Sequence, residues 1–446
     1  MITSEAAYAV SSTSFAFLNV RCKRLSWSSI QGRCRISSFC RFNFVRKESA
    51  SSHKNAGSQH VLAHKIRYLQ ATSRGTDGEI LETSGTKSPQ HQHLMTLQLP
   101  LGMDPSTYPT LKGRHVLITG AARGLGLSTA RVLAWLGATV YLADVDIDGL
   151  QEALKRVQQD VPYASSAVIA CPQLDLGRQD SVHAFVDWWL TQGLELNVLI
   201  NNAGANFMGM EPWYTEQGVA GLPQVNYLGP YTLTRRLSSS LEASAASSGK
   251  SSRIINVCSV MHRFSALPED PLFFLRDWWE GGSYRNCKLA STMTTALLQK
   301  QLGSRGVECV SVDPGAVYSG LWSTSKIWGR PPASNVIKAL FAPPEDACAT
   351  MVHAAAAPSV VPGGYYARGL FADDAIVKST YEPWAAVLSC YDWPVRSFSH
   401  GLMSGSSWMT TSEIKAVEVA PHVHNLRPAE ALWDACADLA GLPRAS

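Results

Sequence analysis

The chain has 446 residues, 46% apolar and 17% charged, a globular balance that supplies a sizeable core for one large domain with an appendage or for two domains. Its formal charge of +4 averages two unlike parts: residues 1–75 hold 12 of the 39 Lys and Arg but only Glu5 and Glu48 of the 35 acids, leaving the body 27 bases against 33 acids, a net of −6. That body has no field to gather nucleic acid, the ten cysteines lack the paired spacing of a zinc site or disulfide framework, and no run of 18 apolar residues offers a membrane span.

Residues 1–75 are Ser-rich, Arg-bearing and without the apolar stretch of a secretory signal, so they read as an organelle transit peptide, disordered, plastid favoured over mitochondrion. A plain disordered tail is the alternative. Residues 76–110, including Gln90-His91-Gln92-His93, read as a linker, and the two histidines without further ligands make no metal site. Order is expected from about residue 112. A β-rich run, His115–Ile118, leads into a helix from Gly124 to about Leu136. Further strand-like runs are Ala138–Ala143, Ala167–Ala170, Asn197–Ile200, Arg253–Val257 and Glu308–Val312, separated by helices near 147–159, 179–192, 217–243 and 282–303. Strands alternating with helices of this length predict βαβ units and a buried parallel sheet. The Ser/Ala-rich stretch 237–252 reads as a helix end running into a surface loop. Residues 321–446 read as a substrate-side cap within the same domain, with a helix near 344–356, a strand at Gly364–Ala367 and a last amphipathic helix from about Pro428 to Leu439.

Between the first strand and first helix lies Thr119-Gly120-Ala-Ala-Arg123-Gly124-Leu125-Gly126. Glycines there let the backbone turn sharply and approach a pyrophosphate, while the helix N-terminus presents N–H groups to it. Asp144, closing the second strand, can hydrogen-bond an adenosine ribose hydroxyl and would repel a 2′-phosphate, so NAD is favoured. Arg123 pulls mildly toward NADP. The bland readings are a helix-capping Asp and a solvated Arg. Farther on, Lys288 follows Tyr284 by four residues, placing both on one helix face. A neighbouring ammonium favours the phenolate and should lower the tyrosine pKa toward working pH, suiting it to general acid/base work.

The glycine spacing, Asn201-Asn202-Ala203-Gly204 after a strand, and Tyr284-x-x-x-Lys288 occur in one order over residues 112–321, and together they resemble the short-chain dehydrogenase/reductase family. The resemblance implies an α/β fold, a Rossmann-type doubly wound parallel sheet in the order 3-2-1-4-5-6-7 within a single domain, with the dinucleotide-binding core at 111–320. It implies that Ser259 holds the substrate oxygen, that Tyr284 exchanges its proton, and that Asn226 supports a water relay to Lys288. Asp175 and Leu176 would lie against the adenine, Asn202, Ala203 and Gly204 against the cofactor ribose, and Pro314, Gly315, Val317 and Ser319 around the nicotinamide carboxamide. Cys258 replaces a common serine, and Asn197 stands where relatives carry an acid. Gln224–Gly229, Arg253–Phe264, Lys288-Leu289-Ala290, Gly363–Tyr366 and Ala431-Leu432-Trp433 are similar to the retinol dehydrogenase-like branch.

The expected activity is NAD(P)-dependent interconversion of an alcohol and a carbonyl on a small lipophilic alcohol, aldehyde or ketone. Phe264, Phe273, Phe274, Trp278, Trp279, Trp322 and Trp328 are candidates for an aromatic cleft or for packing an insertion. His262 reads as a structural or rim histidine. The alternatives are a C=C reductase of the protochlorophyllide type and a non-catalytic dinucleotide-sensing module. Peripheral membrane contact and a homo-oligomer stay open.

Overall fold

Parallel strands covered on both faces must be apolar at odd and even positions alike, and the computed structural model shows how the strand residues divide. It describes residues 97, 99–100, 103–206, 211–268, 270–276, 280–318, 330–331, 334–335, 338, 341–368 and 414–444, all in the unit Thr86–Ser446. The presequence and most of the linker lie outside the described residues. Seven parallel strands, β1 (His115–Thr119), β2 (Thr139–Ala143), β3 (Val168–Ala170), β4 (Val198–Asn201), β5 (Ser252–Val257), β6 (Val307–Val312) and β7 (Tyr365–Arg368), stand in the order β3-β2-β1-β4-β5-β6-β7. An unanticipated eighth strand, β8 (Ile414–Val417), adds antiparallel to β7, pairing Tyr365 with Val417 and Arg368 with Ile414.

The helices are α1 (Gly124–Trp135), α2 (Ile147–Asp160), α3 (Gln179–Thr191), α4 (Gly229–Ser248), the short α5 (Pro271–Arg276), α6 (Glu280–Leu302), α7 (Ala349–Ala356) and α8 (Arg427–Leu439). Alternate strand residues feed two cores. Leu117, Leu199 and Ile254 join Trp189 of α3, Leu237 of α4, Leu298 of α6 and Trp433 of α8. Val116, Ile118, Val198, Ile200 and Ile255 join Leu133 of α1, Leu150 of α2 and Met351 of α7 on the other face. Each fully buried large side chain contributes about 1.5–3 kcal/mol relative to exposure, so the two faces together fix the register of every strand.

Local details depart from the sequence reading in instructive ways. Leu97 is buried and Tyr108 packs edge-on to His353, with its hydroxyl 3.2 Å from Nδ1, so chain ahead of residue 112 is already part of the fold. The helix expected over 217–243 opens with a single turn at Gly221–Pro223 and a wider i→i+5 turn at Gln224–Leu228 before α4 begins. It runs on to Ser248 and stops at Gly249, whose φ of +65° suits a residue without a Cβ. Asn197, in place of an acid, accepts the His115 N–H through Oδ1 at 2.7 Å, which anchors the start of β1.

Candidate functional site

The C-terminal ends of β1, β4, β5 and β6 lie side by side in the sheet, and the predicted site residues follow them. In doubly wound sheets a ligand crevice forms at this edge, where the winding reverses. Gly120 has φ +66°, and a Cβ there would stand 2.8 Å from Ala203 Cα. A Cβ on Gly126 would stand 2.2 Å from the Gly120 carbonyl oxygen, so neither position accepts a larger residue without moving backbone. Gly124, by contrast, has φ +57° and no atom within 4 Å of where a Cβ would project. No side chain caps α1, whose first-turn N–H groups therefore keep their capacity for an anion. Those N–H groups could hold a pyrophosphate, and Leu125 packs against the cluster of Val317, Ala342 and Ala347 beside them.

Asn202 staples this turn to β4: Nδ2 donates to the carbonyls of Thr119 (2.8 Å) and Gly120 (3.1 Å). Thr119 Oγ1 in turn accepts the N–H groups of Asn202 and Ala203 at 3.2 and 3.0 Å. Asn201 points the other way, donating to Thr234 Oγ1 and Asn256 Oδ1, and Asn256 continues to Thr295. The Asn201–Gly204 run thus splits its work, bracing the sheet with its first residue and the glycine turn with its second.

The acids are arranged differently from the simple reading. Asp144 Oδ2 accepts from Ala122 N at 3.0 Å and Oδ1 from Asp146 N at 3.0 Å, so its carboxylate braces the glycine turn. The helix cap is Asp146, not Asp144: its Oδ1 accepts from Gly149 N at 3.0 Å at the head of α2. Its Oδ2 also takes Arg123 Nη2 at 2.8 Å, so Arg123 is paired rather than merely solvated. Asp146 was missed from sequence, although Asp-x-x-Gly after a strand carries a capping signal. Asp175 Oδ1 is engaged by Gly177 N at 2.8 Å, and Leu176 is buried beneath α4, its carbonyl accepting from Gln224 Nε2.

At the middle of the edge, Lys288 on α6 donates through Nζ to the Val257 carbonyl at 2.7 Å, two residues before Ser259. The same Nζ lies 5.5 Å from the centre of the Tyr284 ring. Both side chains are buried, and a Cβ on Gly204 would come within 3.9 Å of Nζ. Asn226 sits in the wide turn before α4 and holds Ala205 at both polar atoms, accepting from its N–H and donating to its carbonyl, each at 2.8 Å. That side chain therefore fixes the loop beside Lys288 and keeps a second Nδ2–H beyond the one given to Ala205. Burial also corrects the electrostatic expectation for the tyrosine. It raises the Tyr284 phenol above its ordinary value, reinforced by the charge of Asp313, while burial lowers the Lys288 ammonium. Desolvation is the largest influence on the phenol and the charge of Asp313 the next.

Ser259 begins a tight turn (Val260–Phe264), and its Oγ accepts from Met261 N at 3.3 Å. His262 is fully buried, and its Nδ1 meets the Ser259 carbonyl at 2.8 Å while Nε2 accepts the Ala420 N–H at 3.3 Å. Those partners select the Nδ1–H tautomer, and burial holds the ring neutral, its pKa pushed down to about 3. Asp313, unforeseen, is buried just past β6. It accepts from Val260 N (2.6 Å) and Tyr365 Oη (3.1 Å) through Oδ2 and from Gly315 N (2.8 Å) through Oδ1. Pro314 and Gly315 thus hang from this carboxylate, Val317 bridges to Ala342, and Ser319 lies outside the described residues. Of the aromatic candidates, Phe274 is core, packed edge-on to Tyr227, and Phe273 is 63% exposed. Trp278, Trp279, Trp322, Trp328 and the Phe264 side chain lie outside the described residues.

Among the described residues no cluster of His, Cys, Asp or Glu could hold a metal, and no helix is long and apolar enough to cross a membrane. A family profile described as short chain dehydrogenase matches residues 114–328. Over 269 residues the chain is 35% identical to polyprenol dehydrogenase of Mus musculus, covering 59% of this chain and 78% of that protein. It is 30% identical to retinol dehydrogenase 12 of Bos taurus, covering 74% of this chain and 88% of the relative. It is 31% identical to the chloroplastic short-chain dehydrogenase TIC 32 A of Brassica napus, covering 48% and 68%. With the glycine cradle and the Tyr284–Lys288 pair at one sheet edge, these similarities mean that the chain belongs to the short-chain dehydrogenase/reductase family, in its retinol dehydrogenase-like branch, and is an NAD(P)-dependent oxidoreductase.

Proposed function

We propose that this oxidoreductase interconverts an alcohol and a carbonyl on a lipophilic substrate, with Tyr284 exchanging the proton at the substrate oxygen. The observation that carries this reading is the position of Lys288, bonded to the Val257 carbonyl at 2.7 Å and 5.5 Å from the Tyr284 ring centre. One side chain thereby registers α6 against the end of β5, where Ser259 stands to hydrogen-bond the same oxygen. Asn226 fixes Ala205, and with it the Gly204 backbone beside Lys288. Burial raises the phenol, so at neutral pH Tyr284 is protonated and can donate to the oxygen of a carbonyl under reduction. Alcohol oxidation needs the phenolate and gains rate as pH rises.

Thr119, Gly120, Gly124, Leu125, Gly126, Asn202 and Ala203 would hold the dinucleotide's pyrophosphate and ribose, Asp175 and Leu176 its adenine, and Pro314, Gly315, Val317 and Ser319 its carboxamide end. Bound there, the nicotinamide supplies or accepts the hydride. We favour NAD over NADP: Asp144 lies at the end of β2, and Asp146 occupies Arg123, the cation that a 2′-phosphate would need. The names of the relatives support a long-chain or isoprenoid alcohol as substrate, and the chloroplastic relative together with the Ser-rich, Arg-bearing residues 1–75 supports a plastid address.

The test is Tyr284→Phe assayed on retinoids, steroids and fatty aldehydes with NADH and NADPH in parallel. The expected result is a loss of at least about 10²-fold in turnover, with dinucleotide affinity within about threefold of wild type. Retention of more than about a tenth of wild-type turnover would remove Tyr284 from the proton transfer, and equal efficiency with NADPH would overturn the cofactor preference.

A further inference from the structure

Two side chains outside the expected tetrad meet a single peptide plane. The Ser259 carbonyl receives His262 Nδ1–H at 2.8 Å, and the N–H of the same peptide, that of Val260, is given to Asp313 Oδ2 at 2.6 Å. Both polar atoms of the Ser259–Val260 peptide are therefore committed. The two clamps are themselves tied together through Tyr365 of β7, whose ring centre lies 4.9 Å from that of His262 and whose hydroxyl donates to Asp313 at 3.1 Å. Asp313 accepts three donors, the geometry of an ionised carboxylate, and its remaining oxygen holds Gly315 N at 2.8 Å, at the start of the loop expected around the nicotinamide end.

We propose that Asp313 and His262 are positioning residues that hold the Ser259–Val260 peptide in one orientation and so aim the Ser259 hydroxyl at the substrate oxygen. A peptide held only by its neighbours can rock, and a displacement of about 1 Å at a reacting centre costs on the order of 10²-fold in rate. Here rocking in either sense breaks a hydrogen bond to a buried side chain. Asp313 has a second effect that His262 lacks. Tyr284 faces Asp313 from the end of β6, Cys258 from the end of β5, and Cys287 and Lys288 along α6. Of these the carboxylate is the anion, and it favours the protonated phenol. The inference rests on the assignment of Ser259 and Tyr284 above.

The experiment uses the full chain and three variants, Asp313→Asn, His262→Gln and the double substitution, with Tyr284→Phe beside them. Dinucleotide binding, followed by NADH fluorescence, should stay within about threefold of wild type in all of them. The rate of carbonyl reduction should fall roughly 30–100-fold in Asp313→Asn and about 10-fold in His262→Gln. Because both act on one peptide, the double variant should lie within about threefold of the worse single; independent effects would multiply to roughly 300-fold or more. The pH midpoint of alcohol oxidation should drop by about one unit in Asp313→Asn, through loss of the anion near the phenol, and stay in place in His262→Gln. Multiplying effects or unmoved midpoints in both singles overturn the clamp. If Asp313→Asn does not fold, Tyr365→Phe removes one donor and spares the carboxylate: a turnover loss of at least about threefold supports the clamp and wild-type turnover overturns it. Should Tyr284→Phe retain activity, the proposed function itself fails; should Tyr284→Phe be inactive while the clamp variants match wild type, only the clamp fails.

Discussion

Acid should destabilise this protein through His262. In the fold the imidazole is fully buried and neutral, with its pKa pushed down to about 3 from an ordinary 6.5. In the unfolded chain it takes a proton as pH passes below 6.5. The unfolded state then binds more protons than the native state, so stability falls with falling pH between about 6.5 and 3 and is indifferent to this group above 6.5. Each pH unit within that window costs about 1.4 kcal/mol, which makes the loss at pH 4.5 about 3 kcal/mol, a large share of the 5–15 kcal/mol typical of a domain. The perturbation is His262→Gln, whose amide never titrates. Urea denaturation of both proteins, followed by tryptophan fluorescence from pH 7.5 to 4.5, isolates the group, because every other titration cancels in the difference. The variant starts less stable at pH 7.5 and loses about 2–3 kcal/mol less than wild type on the way down. Two parallel profiles would mean that the imidazole is solvated or charged in the fold, and the account of its burial would be wrong.

Gly126→Ala forces a methyl group against the Gly120 carbonyl oxygen, so we expect dinucleotide affinity to fall at least about 10-fold even where the circular dichroism spectrum is unchanged, measured by NADH fluorescence titration. Trp433→Ala removes a ring that is 2% exposed and packs edge-on to Tyr231 at 4.7 Å; truncation should cost about 3–5 kcal/mol in chemical denaturation and detach α8 from α4. Arg253→Met breaks a buried guanidinium from Glu308 at 2.9 Å and from the carbonyls of Ala354 and Ala357, so a loss of about 3 kcal/mol is expected in the same assay, with turnover per folded molecule unchanged.

The parts of this molecule that were legible in sequence are those written in short spacings. The glycine turn, Asn201–Gly204 and Tyr284-x-x-x-Lys288 are local motifs, the alternation of apolar runs with helices gives the parallel sheet, and the family resemblance gives the order of its first seven strands. The parts that were not legible depend on residues distant in the chain. β8 pairs with β7 across more than forty intervening residues, and four residues reading Ile-Lys-Ala-Val carry no signal of their own. Asp313 looks like the first residue of an Asp-Pro-Gly turn until Val260, Tyr365 and Gly315 are seen to converge on it. The spacing of Tyr284 and Lys288 was readable, but the protonation of the phenol was not, since it depends on how much protein surrounds the ring, and an i,i+4 interval says nothing of that.

His262 Nε2 takes its hydrogen from Ala420 N, a partner 158 residues further along the chain. During synthesis the nucleotide cradle near residue 120 can therefore be in place long before the serine turn gains its far support. Contacts of such long sequence separation form late, so the turn at Ser259 gains its bond from Ala420 only once the segment beyond residue 413 has joined the fold.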